Sequence, residues 1–463
     1  MPAGEVDMGL MGIHYNVHLN KNAYTGIGMY GSIHGIRGGL FTLGVNTGIK
    51  SHLTSKLFFD AGLHFGGGGG AGAPDGGGAF ILPHLNISYS FMKFSLEAGY
   101  SYINFFDNGN IESHQLNVGV QIPLHYSYTK FVHHGSLLTL NSTNWQRIAK
   151  NKTVQFHIDN LNFIRASKDV KGKDITNKTL RLVGVEFNSY ISKNDFLLFR
   201  ADGAFHGLPA GYMDILLGYG HRFLLNKTNT NFTAKIEVGA AGGGSVDTKG
   251  GVIVYPNLSL EQRLFKNTFV SIHKGFLFSP SGKTTASTYG LGLKLYGHIN
   301  GLMNTDSTLF QTAKFKGIGV VVGQELYIDA QRKNNTSEDL HQIFLQVNYY
   351  LNKYWFLAGY TSFANFGNAG AYAEGLLGIG AIRKIGDSRF KLSVKNLIGA
   401  AGGGSILTGE GLIVKPTASI YLAANDKISI SGSYGRVVAF GDGLNSQVVN
   451  FGLVYNLAFL TAQ

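Results

Sequence analysis

The chain has 463 residues, a formal net charge of +12 and no cysteine. Only 14% of its residues are charged, against about 25% in ordinary soluble domains, while 65 are glycine and 12% are aromatic. That balance fits neither a typical soluble enzyme nor a disordered chain, which would lack the aromatics. The missing cysteines exclude disulfide staples and thiolate metal sites. No apolar run reaches the ~20 residues of a transmembrane helix, so strands closed into a ladder are the remaining way to cross a bilayer. Met1 to Glu5 has neither the basic start nor the apolar core of a secretory leader, so an exported form would be mature or trimmed.

In chain order, the strand pattern begins near Met8. Leu85 to Phe91 alternates Leu85, Ile87, Tyr89 and Phe91 with Asn86, Ser88 and Ser90. Phe94 to Ile103 and Tyr289 to Leu295 repeat this two-residue period, as expected of membrane-crossing strands. Short turns such as Asn20–Asn22, Ser192–Asp195 and Leu351–Lys353 alternate with longer polar loops such as Lys168–Lys178 and Lys333–Asp339.

One 18-residue segment occurs three times: Gly66 to Pro83, Gly239 to Pro256 and Gly399 to Pro416. The copies align without a gap, so the chain is an internal triplication. The units read as 1–128, 152–300 and 317–463, joined by linkers 129–151 and 301–316. Each linker holds a capped stretch that reads as a short helical turn, Ser142–Lys150 and Asp306–Lys314. The second and third units carry eight strands each. The first starts at the equivalent of a second strand, since Gly12 to Gly35 matches Gly184 to Gly207. The total is 23, so either a strand precedes Met1 or one segment does not cross, because single-chain bacterial barrels have even strand numbers.

This pattern predicts an all-β transmembrane antiparallel barrel. One large barrel of 22–24 strands is favoured, because a seven-stranded unit would expose unpaired edges to lipid. Tandem eight-stranded barrels are the alternative.

The final strand carries Asn450, Gly452, Tyr455, Leu457 and Phe459. This resembles the β-signal by which outer-membrane proteins are recognised for assembly. Thr288, Gly290, Leu293 and Leu295, and Asn117, Gly119, Ile122 and Leu124, fit the same pattern at the ends of the earlier units. The resemblance is to the general class of bacterial outer-membrane β-barrels and carries over no functional residue. It implies a multi-pass outer-membrane location and partners in lipid, including lipopolysaccharide, and in the barrel-assembly machinery. The positive charge favours lipopolysaccharide phosphates or acidic solutes, or reflects a solvated surface with extra lysine.

Other motifs yield little. Within the glycine segments, Gly66, Gly69, Gly239, Gly242, Gly399 and Gly402 could let a strand bend, form flexible loop, or admit a partner backbone closely. Ser279–Thr284 lacks the first glycine of a phosphate loop and no helix follows. His133–His134 has no third ligand at metal spacing. Glu112–Ser113–His114, the nearest thing to a lipid-modifying site, has no counterpart in the other units. Tyr126–Lys130 suits a membrane-interface belt better than nucleic acid. The expectation is a pore or translocation channel with no catalytic residues, metal or cofactor. The alternatives are a non-catalytic scaffold with protein partners in an envelope complex, and an outer-leaflet lipid enzyme.

Overall fold

The computed structural model describes residues 4–124, 128–140, 150–226, 229–265, 267–299, 311–441 and 443–462. The first repeat contributes β1 (Gly9–His18), β2 (Ala23–His34), β3 (Phe41–His52), β4 (Leu57–Gly69), β5 (Phe80–Ser90), β6 (Ser95–Phe105) and β7 (Glu112–Gln121). Two short strands follow, β8 (Tyr128–Thr129) and β9 (Leu137–Leu140). The second repeat contributes β10 (Lys150–Phe163), β11 (Thr179–Tyr190), β12 (Asp195–His206), β13 (Met213–Asn226), β14 (Thr230–Gly242), β15 (Val252–Phe265), β16 (Thr268–Phe278) and β17 (Thr285–Ile299). The third contributes β18 (Gln311–Gln331), β19 (Ser337–Tyr350), β20 (Trp355–Phe366), β21 (Ala373–Lys384), β22 (Phe390–Gly402), β23 (Leu412–Ala423), β24 (Ile428–Ala439) and β25 (Asn445–Ala462).

Alternation dictates these strands. On β15, Asn257, Ser259 and Glu261 point inward and are buried, while Leu258 and Leu260 point outward and are exposed. The pattern is that of a transmembrane wall with an apolar exterior.

The expectation of one large barrel is overturned. β10 pairs with β17 along its whole length, Lys150 opposite Ile299 through Phe163 opposite Ala286. β18 pairs with β25 in the same way. Each of these repeats therefore closes on itself as an eight-stranded antiparallel barrel. The first repeat is a seven-stranded sheet from β1 to β7, and among the described residues neither edge strand has a second neighbour. Alternation is the same in one large barrel and in three small ones, so it cannot decide closure. The cost of open edges weighed against tandem barrels, yet among the described residues β1 and β7 end the first repeat's sheet.

The linkers differ from expectation where they are described. β18 already begins at Gln311, so 311–314 is strand rather than helical turn; 301–310 and 141–149 lie outside the described residues. β9 pairs with β18 and β8 with β25, which ties the tail of the first repeat to the third barrel.

The repeats share fine detail. A register shift falls between Gly9 and Leu10, between Arg181 and Leu182, and between His341 and Gln342, the same position in each unit. Pro83, Pro256 and Pro416 lie inside β5, β15 and β23. In each case the ladder to the next strand is interrupted there, as in the step from Val254–Phe278 to Asn257–Gly275. A residue without an N–H leaves that gap.

Candidate functional site

Two features stand out above the general wall: the contents of the closed lumens and the seams between repeats.

In the second barrel, Arg200 donates through Nε to Asp202 Oδ2 at 2.7 Å and through Nη2 to Asp159. His157 Nε2 meets Asp202 Oδ1 at 2.6 Å, and His273 contacts Asp159. Lys235 bonds Glu186 at 2.6 Å and Lys294 bonds Glu261 at 2.6 Å. In the third barrel, Lys415 bonds Glu325 at 2.8 Å and also reaches Glu374. Tyr360 donates to Glu325 at 2.7 Å and Tyr327 to Glu374 at 2.8 Å. Arg200, Lys294 and Lys415 are each 1% exposed. An eight-stranded barrel has an interior just wide enough for side chains to fill. Here the filling is charge, held in low dielectric where each ion needs its partner.

His157, Asp159 and Asp202 offer ligand atoms within 4.8 Å of one another. Arg200 and His273 already engage those carboxylates, so the trio works as an ion-pair network rather than as an open cation site.

The glycine segments run from the end of one strand, through a loop, into the next, across β4–β5, β14–β15 and β22–β23. Each faces another repeat. Residues 35–40 of the first repeat lie on the second repeat's segment: Gly38 N–H donates to Lys249 O at 2.6 Å, and Ser32 Oγ to Gly250 O at 3.0 Å. Residues 207–212 of the second lie on the third's segment, where His206 also pairs with Glu410. Residues 367–372 of the third lie on the first's segment, where Gly370 N–H donates to Gly76 O at 3.1 Å; beyond that segment, in the loop after β6, Asp107 Oδ2 accepts the Gly367 N–H at 2.8 Å. Every repeat thus presents one surface and receives a different one, a head-to-tail ring that closes after three members.

Backbone approach is the reason for glycine here. A Cβ on Gly242 would sit 2.5 Å from Gly38 C, and one on Gly402 2.8 Å from Ala210 C. On Gly69 it would sit 2.6 Å from Ala371 N. Gly66, Gly239 and Gly399 face backbone within their own repeat: Leu43 O, Ile215 O and Gly375 O. At the centre, outward side chains of all three repeats meet in one apolar cluster of Phe41, Leu43, Ile215, Ala240 and Phe363. Beside one seam, Asp75 Oδ2 accepts the Gly70 N–H at 2.7 Å. Burial pushes the Asp75 carboxyl up to about 6, against the opposing pull of that N–H.

Of the β-signal residues, Asn450 points inward and donates to Glu325 at 3.0 Å. Gly452 is buried, facing Val321, while Tyr455, Leu457 and Phe459 lie on the outward phase of β25. His133 and His134 follow one another at a single 3-10 turn, where His134 Nδ1 accepts the Gly317 N–H at 2.9 Å. His114 meets Tyr100 and Tyr102 at an exposed position on β7. Glu112, Ser113 and His114 follow one another on β7 at exposed or half-buried positions, and Tyr102 donates to Glu112 at 3.2 Å. The buried ionic networks were missed by sequence reasoning; the one available signal was that their charges sit on the polar phase of each strand.

No family model matches the chain, and no curated protein matches it. Among solved structures it is similar to the NanC porin, at 7% identity and a TM-score of 0.18, over 66% of this chain and 98% of that one. It is similar to OccK11 (OpdR) of Pseudomonas aeruginosa at 11% identity and a TM-score of 0.23, over 97% and 93%. It is also similar to the siderophore receptor PirA from Pseudomonas aeruginosa at 10% identity and a TM-score of 0.31, over 96% and 75%. Likeness at this level carries no argument about function. The class rests on the molecule's own geometry: closed antiparallel barrels with apolar exteriors and polar interiors define a β-barrel protein of the outer-membrane type. Within that class, the described residues of this chain form two closed eight-stranded barrels and one seven-stranded sheet, joined in a ring.

Proposed function

We propose that the chain is a non-catalytic scaffold of the outer membrane, a rigid three-unit platform for an envelope assembly. The observation that carries this reading is the state of the closed lumens, which are filled by buried ion pairs centred on Arg200 and Lys415. Moving a solute through either barrel would mean breaking a buried charge network, which costs about 3–5 kcal/mol for each uncompensated partner. The seams support the same reading, since backbone packed on backbone fixes the barrels relative to one another. Lipid, including lipopolysaccharide, would cover the remaining exterior, and the barrel-assembly machinery would read the final strand around Asn450 to Phe459.

A second reading, a pore or translocation channel, is supported by the first repeat alone. Among the described residues its sheet ends at β1 and β7 rather than closing, and His14, Asn16 and His18 on β1 are exposed. Purified protein in planar bilayers separates the two. The scaffold reading expects a silent membrane after insertion is verified by protease protection. Reproducible unitary current steps from the wild-type chain would overturn it in favour of the channel.

A further inference from the structure

The three repeats touch at the loop end and open away from one another toward the short turns. β2 packs on β14, where Gly31 faces Ala240; β12 packs on β22, where Gly203 faces Ala400; and β20 packs on β4, where Gly67 faces Ala364. Each repeat therefore has one strand between its two seams, namely β3, β13 and β21, and the outward faces of these strands look toward a common axis. At the loop end that axis is packed, since Phe41 and Leu43 of β3 and Ile215 of β13 are buried in the central apolar cluster. Toward the turns the same faces become exposed: Ile49 of β3 is 55% exposed, Tyr219 of β13 44% and Ile379 of β21 47%. The described residues thus enclose a space with apolar walls, closed among the loops and open among the turns. Its rim is basic. The turn leading into β2, β12 and β20 has one form in all three repeats, at 19–22, 191–194 and 351–354, with an exposed lysine in third place: Lys21, Lys193 and Lys353. Arg383, near the turn end of β21, is exposed as well. Of the acids nearby, Asp195 is engaged by His221 at 2.8 Å and by Tyr219, and Asp387 is a single exposed charge.

We propose that this space between the repeats is a binding site for anionic phospholipid, with acyl chains against Ile49, Tyr219 and Ile379 and the phosphate headgroup on Lys21, Lys193 and Lys353. The walls select the chemistry. β3, β13 and β21 each have a ladder neighbour on both sides, so they offer no strand edge to an incoming peptide. What remains is apolar contact inside and charge at the mouth, and a lipid supplies both. Water is a poor filler against such walls. The mouth also carries the aromatic rings of a membrane interface. Tyr354 and Trp355 are exposed beside Lys353, whose Nζ lies 4.8 Å from the centre of the Tyr354 ring. Basic residues around an apolar gap between membrane-spanning elements suit anionic headgroups. In barrels of this type the short turns face the periplasm, so the lipid comes from that leaflet and not from lipopolysaccharide. The site requires a chain in a membrane, which both readings of its function share, and stands whether or not the barrels conduct.

The test offers the delipidated, detergent-solubilised chain either phosphatidylglycerol or phosphatidylcholine with the same acyl chains, and counts retained lipid by native mass spectrometry. Expected is saturable retention of phosphatidylglycerol, about ten-fold above phosphatidylcholine. Lys21→Gln with Lys193→Gln and Lys353→Gln should abolish that preference, and Ile49→Trp with Ile379→Trp, which fills the space, should abolish retention. Should the filled variant fail to fold, a fluorophore in the cysteine-free chain gives a second reading. Placed at Ile379→Cys, it should be half-quenched by brominated phosphatidylglycerol at about one-tenth the concentration needed at Leu453→Cys, on the opposite wall of the same barrel. Equal retention of the two lipids, equal quenching at the two positions, or retention that survives both sets of substitutions overturns the proposal. A second copy or a co-purifying polypeptide that shields the Ile379→Cys label in place of lipid also overturns it.

Discussion

A chain cut at a protease site placed within 301–310 is expected to stay together as two co-purifying halves. Gly69→Val combined with Gly402→Val is expected to make the halves separate. These two glycines lie on the two seams that join the third barrel to the rest. A side chain at Gly402 would meet Ala210 C at 2.8 Å, and one at Gly69 would meet Ala371 N at 2.6 Å. Both obstacles are backbone and cannot swing aside, so relief requires the barrels to move apart. Overpacking of this kind costs about 1–3 kcal/mol per site. The other ladders joining the third barrel to the rest among the described residues are short: β9 on β18 with four residue pairs, β8 on β25 with two, and the single pair Ile299–Thr461 between β17 and β25. Gly375→Ala is the control, since nothing lies within 4 Å of a Cβ there. Co-elution on size exclusion in detergent reads the result, and each barrel should keep its heat-modifiable migration on a gel.

Arg200→Met is expected to destabilise the second barrel by about 3–5 kcal/mol, because it leaves Asp159 and Asp202 buried without their cation. Lys415→Met should do the same to the third barrel by stranding Glu325 and Glu374. Denaturant titration followed by gel mobility reads both. The combination is informative: two separate lumens predict that the Arg200→Met and Lys415→Met losses add. Within one lumen they should not. Asp159→Asn with Asp202→Asn should recover much of the Arg200→Met loss, since removing a whole network costs less than breaking it.

Much of the wall was legible in the sequence, because a strand with one wet face and one lipid face writes its period directly into residues such as Leu85 to Phe91. The triplication was legible because the glycine segments cannot drift: an added side chain or an inserted residue at Gly242 or Gly402 would collide with the neighbouring repeat's backbone. Closure was not legible. Whether β17 turns back to β10 or runs on to β18 depends on pairing between residues more than a hundred positions apart, and both outcomes use the same alternating strands. The lumen networks were hidden for a related reason. Asp159 and Arg200 are 41 residues apart, Asp159 and His273 are 114 apart, and none forms a local motif. The glycines were visible as a repeat, but their neighbours across the seams were not, because those belong to different copies.

Closure of the second and third repeats into separate barrels is tested most directly by cysteine pairs in this cysteine-free chain. Phe156 lies opposite Leu293 across β10 and β17, and Val322 lies opposite Leu453 across β18 and β25. The account predicts that Phe156→Cys with Leu293→Cys, and Val322→Cys with Leu453→Cys, each form an intramolecular disulfide in the membrane-inserted protein. Failure of both pairs, with linkage instead between Leu291→Cys and Val322→Cys, would place β17 beside β18 in one continuous wall and contradict it.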